Sequence, residues 1–207
     1  PPPAVTAAPS PAATPPPAAS GVPAADATPS GPPPVLPISP GRRIEFRVSG
    51  QRDIQSATTA FNRGYGYHRR GDLDRAIYDY LRAVEMDNRY VLAFYNLGDV
   101  YRQRGDLDLA RDAYARALDI SPEDGSIRYN LALVLDLLGE ATAAQQQLRF
   151  ILARQPDNPA AHYMLGLIYT RDIRSAPAAK AHLQKFVELQ PSDPKAAGVK
   201  QWLAEHP

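Results

Sequence analysis

The chain has no cysteine, two methionines and a single tryptophan among its 207 residues. Without cysteine it builds neither a disulfide framework nor a thiolate metal site, and its redox compartment leaves no mark on it. An excess of one charge is missing as well. Its 23 lysines and arginines stand against 22 acids, so the net charge is +1, too balanced for the broad basic field that nucleic acid recruits. No apolar run approaches the length of a membrane span: residues 131–138 are short and interrupted by Asp136. The first forty residues lack aromatic side chains altogether, and they hold 15 of the 22 prolines.

That composition predicts a disordered or polyproline II-like tail over residues 1–41, which cannot bury enough apolar surface to offset the entropy of ordering it. Fully extended, forty such residues reach roughly 120 Å, at about 3.1 Å each. The tail is either a spacer that holds a domain away from an anchor or an inert extension. Residues 42–52 follow as a leader, where Ile44, Phe46 and Val48 alternate with Arg43, Glu45 and Arg47. Strict alternation predicts a short strand, which needs an edge or groove to lie on. It is either a docking element, for a partner or for the chain's own groove, or a leader packed on the first helix. The start at Pro1 rather than methionine leads us to expect that something upstream was removed, such as a signal or a lipidated leader.

From residue 57 a block of 34 residues recurs. Gly71, Gly105 and Gly139 share that spacing, as do Ala76, Ala110 and Ala144, and Phe61, Tyr95, Tyr129 and Tyr163. A fixed period of this size signals stacked copies of one supersecondary unit. In the copy at 91–124, Leu92, Ala93, Leu97, Val100 and Tyr101 follow a period near 3.6, as do Leu109, Ala110, Ala113, Tyr114, Ala117 and Leu118. Gly105 separates the two runs, with Asp106 or Asp108 as the expected cap of the second, and Pro122 ends it. The small residues Gly98 and Ala110 predict close approach of the two helices, with Tyr101 and Tyr114 filling the space between them.

The stretch Tyr95-Asn-Leu-Gly98-x-x-Tyr101, followed by Gly105-Asp106, Ala110, Tyr114, Ala117 and Pro122, resembles the tetratricopeptide repeat. The copy at 57–90 keeps Gly64, Tyr67, Gly71, Ala76, Tyr80 and Ala83 but has Arg63 and Asn88 where the family prefers leucine and proline. The copy at 125–158 keeps Leu131, Ala132, Gly139, Ala144 and Leu148. A fourth at 159–193 keeps Leu165, Gly166 and Tyr169, but residues 172–177 replace the glycine turn with a longer loop that Ser175 is expected to cap. Residues 194–206, with Ala196, Val199, Trp202 and Leu203 on one side, read as the solvating end helix that repeat arrays need. The resemblance implies an all-α, right-handed solenoid of about four helix pairs over residues 53–207.

It also implies that the first helix of each pair lines a concave face that binds extended peptides. Two ladders lie there. Asn62, Asn96 and Asn130 recur at the repeat spacing, and a side-chain amide can donate to a backbone carbonyl while accepting from an N–H. A similar asparagine ladder occurs in the repeats of O-linked N-acetylglucosamine transferase; Met164 breaks it here. Phe61, Tyr95, Tyr129 and Tyr163 form the second ladder, either as contact area for a ligand or as packing between helices. Beside them stand Tyr65 and Asp99 with Arg102 at a polar end, and Leu133 and Leu167 at an apolar end. The basic residues of the chaperone carboxylate clamp are not in place.

No catalytic, metal or cofactor motif is present in the sequence. His68, His162, His182 and His206 lie far apart, without metal-ligand spacing. His162 falls at a packing position, whereas His68 lies near a helix end, on the surface or facing a ligand. The expected function is a non-enzymatic adaptor with a protein partner and no nucleic acid. The alternative is a structural subunit of a bacterial envelope assembly, resembling type IV pilus pilotins or cytochrome c maturation modules, with the tail threaded along other proteins. A periplasmic or envelope location, with a cytoplasmic one as the other choice, goes with that layout.

Overall fold

The computed structural model describes residues 52–206; the tail at 1–41 and nearly all of the leader at 42–52 lie outside the described residues. Nine α-helices and no strand occur among them, as an all-α solenoid of helix pairs requires. The pairs are α1 (Ile54–Arg69) with α2 (Leu73–Met86), α3 (Val91–Arg104) with α4 (Leu107–Ile120), α5 (Gly125–Leu137) with α6 (Ala141–Arg154), and α7 (Pro159–Tyr169) with α8 (Ala176–Leu189). A last helix, α9, spans Pro194–Glu205. The chain divides near residue 121 into two compact units, one holding α1–α4 and the other α5–α9.

The turn within a pair is set by backbone conformation. Gly105 has φ +87° and ends α3 by donating its N–H to Arg102 O, a left-handed geometry that a side chain disfavours. Gly71 and Gly139 take the same place in their repeats, with φ +79° and +81°. Where the fourth repeat lacks that glycine, a 3₁₀ turn at Ile173–Ser175 takes over. Ser175 occupies the N-cap position of α8 as expected, yet its hydroxyl makes no cap bond. Asp172 does the local work instead, accepting the N–H of Arg174 at 3.0 Å. In α4 the N-cap is Asp106 rather than Asp108, and its carboxylate is turned to Arg104.

Small residues bring the paired helices together. A Cβ built on Gly98 would lie 2.7 Å from the ring of Tyr114, which is wholly buried. On Gly166 it would meet Leu183 at 2.5 Å. Such contacts are closer than packed atoms tolerate, so α3 and α7 must be bare there to receive α4 and α8.

The departures at Arg63 and Asn88 have structural explanations. Arg63 donates from Nε to Asp79 Oδ2 at 2.7 Å and from Nη2 to Asp79 Oδ1 at 2.5 Å, and Asp79 is 2% exposed, so an ion pair replaces an apolar contact. Near Asn88, α2 ends at Met86 without a proline. Arg52 grips the buried Asp87 with bonds of 2.7 and 2.9 Å, and Asp53 N–H donates to Met86 O, which ties the start of α1 to the end of α2. In the other unit α9 caps the array, burying Ala196, Val199 and Trp202, with Asp193 accepting the Lys195 N–H.

Candidate peptide-binding face

In the first unit the candidate residues come from α1 and α3. At about 100° per residue, Tyr95, Asp99 and Arg102 share one face of α3, and Phe61 and Tyr65 share one on α1. Asp99 is the chemical centre. Although 6% exposed, it accepts the Tyr114 hydroxyl hydrogen at 2.5 Å, and Arg102 Nη2 stands 3.6 Å away. Burial pushes the Asp99 carboxyl above its usual range, against the pull of Tyr114, Arg102 and His68. Half-buried His68 is pushed down by the same burial, while Asp99 and a hydrogen bond with Gln103 raise it. Arg102 Nε is buried with no hydrogen-bond partner among the described residues. These groups form one charged interior cluster with an edge on the surface, since the Arg102 side chain is 13% exposed.

Tyr114 and His68 join this cluster, although sequence pattern assigns the first a packing role and the second a place on the surface or against a ligand. The signal for Tyr114 lies in the repeat itself. The residue 16 positions after Gly98 is Tyr114, whose ring crosses α3 at that glycine, so its hydroxyl arrives beside the next residue, Asp99. The equivalent trios are Gly64, Tyr65 and Tyr80; Ala132, Leu133 and Leu148; and, with one added residue, Gly166, Leu167 and Leu183. The second repeat is the one that sets an acid against the incoming tyrosine. In the first, Tyr80 brings its hydroxyl to a position with no hydrogen-bond partner among the described residues, and burial raises its pKa far above the ordinary tyrosine value.

The asparagine ladder is uneven. Asn62 is exposed, whereas Asn96 and Asn130 are 4% and 2% exposed. Asn96 donates its amide to Leu92 O at 2.7 Å, one turn back on its own helix, so that donor is committed. The aromatic ladder turns toward the seams between helices. Phe61 sits 5.6 Å from Tyr80 and 5.0 Å from Tyr90, and Tyr95 meets Tyr114 edge-on at 5.9 Å. In the second unit Tyr163 packs on Phe186 at 4.8 Å and lies under Lys195 Nζ at 5.1 Å. Each is at most 8% exposed, so packing accounts for most of its surface. Tyr129 is half-buried, and burial raises its hydroxyl's pKa.

Also in the second unit, Leu133 on α5 and Leu167 on α7 are 6% and 3% exposed, and the buried acid there is Asp136, gripped by Arg171 at 2.5 and 2.8 Å. Among the described residues no group of three or more His, Asp or Glu side chains is placed to hold a metal, and no helix is long and apolar enough to cross a membrane.

Two tetratricopeptide repeat family models match the chain, one over residues 61–125 and the other over 101–168. The chain belongs to the tetratricopeptide repeat family. No curated protein matches it in sequence. Similar solved structures include MamA from Desulfovibrio magneticus, with a TM-score of 0.65 and 22% identity over 73% of this chain and 91% of that one. A tetratricopeptide repeat protein from Parabacteroides merdae matches with a TM-score of 0.67 and 24% identity, over 73% and 60%. PilF from Pseudomonas aeruginosa matches with 0.61 and 21%, over 73% and 70%. Identities this low establish a shared fold. As a tetratricopeptide repeat protein, the chain is of a kind that mediates protein–protein interaction.

Proposed function

We propose that the protein is a non-enzymatic adaptor that holds an extended segment of a partner protein against the first helices of its repeats. The observation that carries this reading is the Asp99 cluster. A buried acid and an arginine with an unpaired buried Nε stand on the face of α3 where the family binds its ligands, and a half-buried histidine joins them from α1. Core packing alone gives no reason for such a cluster, because burying charged groups costs stability unless they are fully paired. Exposed Asn62 and half-buried Tyr65 on α1 supply hydrogen-bonding and amphipathic contact nearby.

A displayed library of random peptides, selected against the full chain, tests this. Selected peptides should lose about 0.5 to 1.5 kcal/mol of affinity for each hydrogen bond removed in Asn62→Ala, and more in Arg102→Met, with helical content unchanged. Failure to select any peptide, or equal affinity for all three proteins, would reject the assignment.

The composition of residues 1–40 favours a second reading, a structural subunit of a bacterial envelope assembly with its tail along other proteins. Deleting those residues separates the two. An adaptor keeps its peptide affinity, whereas a threaded subunit drops out of the complex captured from its native source.

A further inference from the structure

The seam between α7 and α8 carries two histidines that the adaptor reading does not use. His162 and His182 face each other through Nδ1 at 2.9 Å, with ring centroids 5.1 Å apart. The centroid separation exceeds the nitrogen separation by about two ring radii, so the two nitrogens point at each other head-on and share a proton. His162 Nε2 lies 2.8 Å from the carbonyl oxygen of Pro156. A carbonyl only accepts, so that nitrogen carries a hydrogen. In neutral His162 the Nδ1 is then bare and accepts from Nδ1–H of His182, which leaves His182 Nε2 as the first position to gain a proton. A proton there keeps the bond and makes it charge-assisted. The second must go to His162 Nδ1, where it displaces the hydrogen bond and sets two imidazolium N–H groups against each other.

We propose that His162 and His182 form a proton-counting latch on the last helix pair: α7 and α8 stay clasped with none or one added proton and part when both rings are charged. The surroundings favour release over retention of charge. From α7, the ring of Tyr169 stacks on His182 at 5.8 Å, and Arg149 of α6 donates to the Tyr169 hydroxyl at 2.6 Å. On α8 itself, Lys185 pairs with Asp157 at 3.1 Å and with Glu188 at 3.9 Å. The charges felt at His182 are those of His162 and Arg149, which add to burial in holding its pKa below the ordinary histidine value. A base depressed in this way binds fewer protons folded than unfolded. Its contribution to stability is therefore full above about pH 6.5 and is lost as the pH falls from there. His68, in α1, is also depressed, so bulk stability does not separate the two sites.

Site-resolved measurements do. In the full chain, ring-nitrogen NMR from pH 8 to pH 4 should show His162 and His182 titrating together in two separated steps. Across the lower step, amide protection in α7 and α8 should fall about tenfold or more relative to that in α1–α4, after correction for intrinsic exchange. In His182→Gln, His162 should titrate in one step and the relative loss of protection should vanish. The wild-type titration decides the matter should that variant fail to fold. Independent one-step titration of both rings, two steps without the relative loss of protection, or an equal loss in α1–α4 would each overturn the latch.

Discussion

In the pairs α1–α2 and α3–α4, the residue that follows the small contact residue of the first helix is Tyr65 or Asp99; in α5–α6 and α7–α8 it is Leu133 or Leu167. The partner side chains differ in the same sense, with Tyr80 and Tyr114 against Leu148 and Leu183. Both units keep the glycine or alanine that permits close approach, and both bury an arginine-gripped acid, Asp79 in one and Asp136 in the other. The repeat thus constrains where helices touch and leaves the chemistry one residue away free to vary. A tyrosine rather than a leucine crossing the seam brings a hydroxyl into the interior, which Asp99 accepts in the second repeat and which has no hydrogen-bond partner among the described residues in the first.

The largest test of that comparison is at the seams. Gly98→Ala should cost about 3 kcal/mol in urea unfolding, since the Tyr114 ring is rigid and wholly buried. Gly166→Ala should cost about 1 to 2 kcal/mol, because Leu183 can change rotamer, although its backbone nitrogen at 3.4 Å limits the relief. Equal costs would show that the two seams are packed alike. Next, Arg63→Met should cost about 2 kcal/mol: it strands a buried Asp79, but Arg63 is 44% exposed and water reaches the pair. Arg171→Met should match it in the other unit, where the arginine is 42% exposed and Asp136 is buried.

Tyr114→Phe removes the hydroxyl from Asp99 and should cost about 1.5 kcal/mol at pH 7. The deficit should shrink on acidification. The folded pKa of Asp99 is raised by burial, so its contribution is most favourable below the unfolded carboxylate range, near pH 4, and is lost as pH rises through the folded value. Urea midpoints at pH 7 and pH 4 check the sign, and a deficit that grows at low pH would place the loss elsewhere. The smallest effect is on the outer face. Arg111 bridges Asp108 at 3.1 Å and Asp112 at 3.4 Å, all three at least partly exposed, so Arg111→Ala should shift stability by less than about 0.5 kcal/mol.

Much of the fold was legible because a 34-residue period carries backbone information directly. Gly105 and its equivalents imply left-handed turns, apolar spacing implies buried stripes, and the run from Ala196 to Trp202 implies a final helix with one apolar side. The site was legible in outline only. Asn62, Asn96 and Asn130 share a repeat position, yet the first is exposed and the other two are buried, with the Asn96 amide turned back on its own helix. His162 and His182, twenty residues apart, carry no motif that pairs them. Periodicity sets the phase of a residue around its helix, whereas rotamer and the depth of the neighbouring helix decide what its side chain touches.

By itself, then, the amino-acid order determined that this protein is built of paired helices, where each pair turns and where the end is capped, because those features depend on spacing along one chain. Tertiary structure alone decided that Asp99 answers Tyr114, that Arg63 grips Asp79 and that two histidines share a proton. Each of those contacts depends on the distance between two helices, to which a few tenths of an ångström matter and which no local pattern records.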